Sequence, residues 1–293
     1  MSIKLKDQLH HWIWNGMSGG LILGNYRIGK TRALEYIANQ LVNRSGDILP
    51  VRRMSISRRD TRTIAGIFKN LSFTLGLKIK PRATSDDMAN SVLHHLSELA
   101  LTNSTYQVVL FVDEMQRLDI LQLDAFAELY DSLAELKINL SIIFIGNSAA
   151  SKPLIDLVLR PKYELIRGRF FTHSFTYHGI RNKNELISCL SEFDTVTTDI
   201  TLKNSVTKCF LPDEYASGWR LKDLGSLIWK VYERDYRRPL KISSWGMQYF
   251  IAAVKILLVD YLPKYGLDDD LLEQMIIQSI EASGLKPNLF IAA

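Results

Sequence analysis

Gly24-Asn25-Tyr26-Arg27-Ile28-Gly29-Lys30-Thr31 fits the pattern G-x-x-x-x-G-K-[ST], and its reading decides the fold. Leu21-Ile22-Leu23 just before it is a short apolar run that reads as a buried strand, and Gly29 to Leu41 reads as the helix that follows. In that setting the glycines let backbone N–H groups turn inward around phosphate oxygens, and the helix N-terminus adds its dipole. Lys30 would reach the β- and γ-phosphates, Thr31 would bind Mg²⁺, and Arg32 follows in the same helical turn. The phosphate-binding set is therefore Gly24, Asn25, Tyr26, Arg27, Ile28, Gly29, Lys30, Thr31 and Arg32.

Working outward, the pattern repeats. Residues 1–16 space Leu5, Leu9, Trp12 and Ile13 as a helix does, and Gly16 to Gly20 reads as a flexible break. A strand is expected over Ile48 to Ile56 and a helix over Arg62 to Leu75; Ser85-Asp86-Asp87 reads as the N-terminus of a helix running to Leu101. Val108 to Val112 is a continuous β-branched run, as in a strand buried on both faces. An amphipathic helix follows over Leu121 to Leu136, then a buried strand over Leu140 to Ile145 and a last strand over Phe170 to Tyr177. Strands alternating with long helices imply right-handed crossovers and a parallel sheet. Beyond residue 180 helical patterns dominate, over about 182–193, 200–210, 219–234, 241–262 and 268–283. The chain is expected to divide into a nucleotide-binding α/β domain, 1–178, and a helical lid domain, 179–293.

Two acids follow the Val108 to Val112 run. Asp113 would hold Mg²⁺ through water, and Glu114 would polarise the attacking water, as in a Walker B strand. Asn147 follows the next strand and would orient that water or sense the γ-phosphate. Arg160, Arg167 and Arg169 are candidates for an arginine donated to a neighbour's site, and the sequence does not choose among them. Arg220 opens a helix in the second domain, from which it would reach back to the phosphates. No guanine-reading N-K-x-D occurs, since Asn182-Lys183-Asn184-Glu185 breaks the pattern, and this favours ATP. The adjacent pairs His10/His11 and His94/His95 point to different helix faces and offer no metal site beyond Mg²⁺.

The 293 residues are 47% hydrophobic and 23% charged, enough for a sizeable core. Cys189 and Cys209 form no C-x-x-C pair, and no stretch is apolar enough to span a bilayer, so a reduced, soluble cytoplasmic chain is expected. The net charge of +5 is unevenly spread. Nine basic residues and one acid lie between Arg52 and Arg82, which suggests a polyanionic partner.

In this order the motifs resemble an AAA+ ATPase, and more narrowly the TnsC/TniB/MuB group of transposition regulators. The likeness rests on Leu9-His10-His11-Trp12-Ile13 before the first strand, Asn25 to Thr31 with its arginine, Val112-Asp113-Glu114-Met115-Gln116-Arg117-Leu118, and Ile166-Arg167-Gly168-Arg169-Phe170. It spans about residues 5–235. The resemblance implies an AAA+ parallel sheet flanked by helices, followed by an all-helical lid. It implies an ATPase that uses ATP and Mg²⁺, forms a helical or ring homo-oligomer on double-stranded DNA, and recruits a transposase and a target-selection protein, with hydrolysis driving disassembly. Arg52, Arg53, Arg58, Arg59 and Arg62 would face the duplex backbone. Two alternatives stay open: a replication-type helicase loader, and a nucleotide-switched signalling or defence scaffold that does not bind DNA. The apolar end, Leu285 to Ala293, would pack on its own domain or dock on a partner.

Overall fold

The computed structural model describes residues 2–58, 63–197 and 204–285. Arg59, Arg62, the start of the helix expected over 200–210, and the tail from 286 onward lie outside the described residues. The chain forms two compact units, one of Met1–Tyr26 with Lys30–Tyr177 and the other of Arg27–Gly29 with His178–Ala293.

The first unit alternates α1 (Ser2–Trp14), β1 (Gly19–Gly24), α2 (Lys30–Ala38), β2 (Val51–Ser55), α3 (Ile64–Thr74), α4 (Ser85–Ala100), β3 (Gln107–Asp113), α5 (Leu123–Glu135), β4 (Asn139–Asn147), α6 (Ser148–Val158), α7 (Glu164–Phe170) and β5 (Ser174–Thr176). The strands form one sheet in the order β2-β3-β4-β1-β5, and every pairing is parallel. Each residue of β3 is buried, which explains the unbroken apolar run. Helices α3, α4 and α5 pack Phe68, Leu71, Val92, Leu96, Phe126 and Leu133 against that strand's neighbours. Burial of each such side chain is worth about 1.5–3 kcal/mol.

Three local expectations change. Gly19 and Gly20, expected in a flexible break, belong to β1. A Cβ at Gly19 would sit 2.6 Å from the Ile142 carbonyl oxygen, and one at Gly20 would sit 2.8 Å from the Trp12 ring, so close packing selects glycine there. The cap of α4 is Thr84, one residue before the Ser85 that the sequence offers: Thr84 accepts from the Asp87 N–H at 3.1 Å, and Asp87 accepts from the Thr84 N–H at 2.8 Å, closing a capping box. Phe170, expected at the start of a strand, ends α7 instead, and only Ser174–Thr176 pairs with β1.

The second unit is helical: α8 (Lys183–Thr195), α9 (Val206–Phe210), α10 (Pro212–Ala216), α11 (Gly225–Tyr232), α12 (Met247–Ile256), α13 (Leu262–Tyr265) and α14 (Asp269–Ala282). The two long helices expected over 219–234 and 241–262 are each interrupted. A 3₁₀ turn opens the first, and π-helical turns run over Glu233–Arg237 and Leu257–Tyr261. Its core holds Tyr232 stacked on Trp245 at 4.2 Å between ring centroids, with Phe250 edge-on to Trp245. Among the described residues no helix is long and apolar enough to cross a membrane.

Candidate nucleotide site

Parallel pairing sets Gly24 opposite Asn147 and Ser55 opposite Asp113. The loop after β1, the acids after β3, Asn147 at the end of β4 and the end of β2 therefore share the carboxyl edge of the sheet, where open α/β sheets bind ligands.

The loop has the backbone the motif demands. Gly29 takes φ +89°, a region that favours glycine, and Arg27 takes φ +62°. Lys30 is folded onto its own loop, donating to the Gly24 carbonyl at 2.8 Å and the Asn25 carbonyl at 2.7 Å. Burial pushes its ammonium below the ordinary lysine value, while Asp113 and Glu114 pull it back up. A phosphate at this loop would supply the counter-charge that burial makes costly to lack. Tyr26 is exposed. Arg27 clusters with the second unit, where its guanidinium donates to the Tyr249 hydroxyl at 2.7 Å. Arg32 points outward and pairs with Glu35 at 3.0 Å.

Asp113 is the hub. Its Oδ1 accepts the Glu114 N–H at 2.9 Å; its Oδ2 accepts the Thr31 hydroxyl at 3.0 Å and Arg53 Nη2 at 3.0 Å. Thr31 and Asp113 thus bring two hard oxygens together, the kind of donor Mg²⁺ takes alongside phosphate and water. Among the described residues no group of three or more His, Cys, Asp or Glu gathers at one point. The protein's share of a metal here would be those two oxygens, and the metal would polarise the phosphates they face.

Glu114 sits in the left-handed region at φ 62°, ψ 38°. Two neighbours hold its carboxylate there: Gln116 Nε2 donates at 2.8 Å and Arg117 pairs at 3.1 Å. Arg117 is itself anchored on the Ile56 carbonyl at 3.0 Å. Gln116 Oε1 accepts the Asn147 N–H at 3.2 Å, and the neighbouring Gly146 is packed so closely by Met115 and Ser151 that a Cβ there would clash with both. Asn147 is buried and its Oδ1 caps α6 by accepting the Ala150 N–H at 2.9 Å. Its side-chain nitrogen is the donor it could present to a ligand. Gln116 and Arg117 stand two and three residues beyond Glu114 in the Walker B stretch, whereas no local signal marks Glu35 on α2.

The remaining candidates are distributed as follows. Arg53, read from sequence as one of the DNA-facing arginines, turns to the carboxylates of Glu35 and Asp113, at 2.6 and 3.0 Å. Alternation along β2 explains the change, because neighbouring side chains leave a strand on opposite faces. Arg52 donates to the Val51 carbonyl at 3.1 Å, and Arg58 is exposed. Arg160 is exposed ahead of α7. Arg167 donates to the Leu159 carbonyl at 3.2 Å and lies 3.7 Å from Glu164, whereas Arg169 pairs with Asp131 at 2.8 Å and lies over the Tyr130 ring. In the second unit Arg220 is held by the Tyr215 and Trp219 carbonyls and stacks on the Tyr215 ring at 3.6 Å.

Residues 16–154 match the family model of the AAA domain. Among solved structures, the chain is similar to one from Drosophila ORC bound to DNA, at 15% identity and TM-score 0.56, covering 98% of this chain and 67% of that one. It is also similar to Cdc6p from Pyrobaculum aerophilum, at 16% identity, 98% and 80% coverage and TM-score 0.43. A Walker-type ATPase of Pyrococcus abyssi aligns at 16% identity, 96% and 94% coverage and TM-score 0.45. At such identities the likeness to ORC is one of fold. No curated protein matches by sequence. The phosphate loop, the paired acids and the parallel 2-3-4-1-5 sheet flanked by helices are those of a P-loop AAA+ fold, and the match to the AAA domain model spans residues 16–154.

Proposed function

We propose that the chain is an ATP-dependent DNA-binding ATPase that assembles with copies of itself on duplex DNA and regulates transposition. The observation that carries the nucleotide chemistry is the meeting of Thr31 and Asp113 at 3.0 Å beside the Lys30 loop. Lys30 and the loop N–H groups bind and orient the phosphates. Thr31 and Asp113 would hold the metal, which would supply charge neutralisation when bound. Glu114, fixed by Gln116 and Arg117, takes the proton of the attacking water, and Asn147 orients that water from the adjacent strand. An arginine from a neighbouring copy completes the site. β2 ends at Ser55 opposite Asp113, and the exposed Arg58 follows three residues on, which supports a link between nucleotide state and DNA grip. The DNA in the ORC complex supports DNA as the first partner to test. The transposase and target-selection partners rest on the family resemblance of the motifs.

Duplex binding is measured by filter retention with and without ATP across a salt series. Binding is expected only with ATP and falling steeply with salt, and Lys30→Ala is expected to lose nucleotide-dependent assembly. Equal retention with and without nucleotide sinks the reading. The fold likeness to ORC favours one second reading, a replication-type loader acting on a helicase. Preference for single-stranded over duplex DNA, with a helicase partner, would select it.

A further inference from the structure

Arg53 and Thr31 share one oxygen. Both donate to Asp113 Oδ2 at 3.0 Å, at the place where the site reading puts a divalent cation. We propose that Arg53 is a built-in counter-ion that holds Asp113 until Mg²⁺ arrives with nucleotide, so that metal binding is an exchange of one cation for another. The inference rests on the Mg²⁺–ATP reading above.

Four observations carry it. The Asp113 side chain is only 7% exposed, and a carboxylate so enclosed needs a partner in every state of the site. Arg53 supplies that partner from a strand that lies beside β3, Arg53 itself pairing in register with Phe111. Arg53 also has a second anchor, Glu35 on α2 at 2.6 Å, which is 40% exposed. The guanidinium can therefore leave Asp113 and stay attached at the rim. Finally, Arg53 Nε is buried with no partner, so its present seat is incompletely satisfied and its release forfeits few contacts. Two cations on one carboxylate oxygen repel, so each weakens the other's hold. Arg53 would act as a positioning residue through Asp113. Its effect is to raise the Mg²⁺ concentration that nucleotide binding requires.

The test follows binding of a fluorescent ATP analogue during Mg²⁺ titration, for the full chain and three variants. Arg53→Met keeps the length and removes the charge; the Mg²⁺ concentration giving half-saturation is expected to fall roughly tenfold. Arg53→Lys restores a cation and is expected to return the requirement towards the parent value. Glu35→Gln removes the rim anchor, commits Arg53 to Asp113 and is expected to raise the requirement. That third variant leaves Arg53 and Asp113 in place, so it decides the matter if Arg53→Met fails to fold. Binding in EDTA is the control. If Arg53→Met weakens it and adding Asp113→Asn does not restore it, Arg53 is a phosphate ligand and the exchange is wrong. A Mg²⁺ requirement that is unchanged or higher in Arg53→Met, or lower in Glu35→Gln, overturns the proposal. If the parent chain binds no nucleotide at any Mg²⁺ concentration, the site reading itself falls, and this inference with it.

Discussion

Two groups of arginines in the first unit are held in opposite ways. At the sheet edge, Arg53 and Arg117 are gripped by Glu35, Asp113 and Glu114 at 2.6 to 3.1 Å and serve the chain's own carboxylates. On α7 the grip is graded. Arg169 is fixed by Asp131 and the Tyr130 ring, Arg167 is tethered only by a 3.7 Å ion pair and one carbonyl, and Arg160 ahead of the helix is exposed. A cation that must act on another molecule has to be available to it, while one that tunes a local carboxylate must not be. On that ground Arg160 and Arg167 are the better candidates for a donor to a neighbour's site and Arg169 the better strut.

The largest effect expected from this contrast is on turnover. Arg167→Ala should reduce hydrolysis by the assembled protein by about 10³-fold or more, the scale of a lost arginine finger. Mixing it with Lys30→Ala copies should recover part of the rate, because each supplies what the other lacks. If Arg169→Ala shows the loss and Arg167→Ala does not, the contrast is inverted. Next comes the end of β3. Glu114→Gln should retain ATP binding, lose roughly 10²-fold in turnover and accumulate assemblies, read by light scattering. Normal hydrolysis would remove Glu114 as the base. A smaller effect is expected for Arg169→Ala: loss of a half-buried ion pair and a cation–π contact should cost about 1 kcal/mol, seen as a Tm lower by a few degrees with turnover per folded molecule unchanged. The smallest is a gain. Glu114 sits at φ 62°, so Glu114→Gly should raise stability by about 0.5–1 kcal/mol in thermal melting while abolishing turnover. A lower Tm would mean that the Gln116 and Arg117 contacts outweigh the backbone strain.

How much of this the sequence carried depends on the range of the interaction. The loop from Gly24 to Thr31 and the β3 run ending in Asp113 are local signals, and their parallel strands follow from alternation with helices. Contacts across the sheet were not legible. Gly19-Gly20 reads as a break because no local signal announces that Ile142 and the Trp12 ring will press on it. Arg53 was grouped with its neighbours in a charge run, although the run lay inside an expected strand whose alternation already separates Arg52 from Arg53. Glu35 sits on the P-loop helix with nothing in its spacing to point at β2. Of the helical unit, the 3.6-residue periodicity located the helices and missed the π turns at Glu233–Arg237 and Leu257–Tyr261, which alter the backbone count without breaking the apolar pattern.

The Trp12 ring covering Gly20 bears on how this protein can be cut. The family match begins at residue 16, but the side chains that shield the first strand belong to α1, where Leu5, Leu9, Trp12 and Ile13 are all buried. A fragment trimmed to the match would strip the Trp12 ring from Gly20, which has no side chain of its own to replace the lost indole. It would also sever the Gln107 amide from the Ile13 carbonyl it holds at 3.2 Å. Family membership is drawn by likeness between sequences, and a folding unit by which atoms shelter which. Here the second boundary begins one helix earlier, so a soluble fragment of this domain has to begin near residue 2 rather than residue 16.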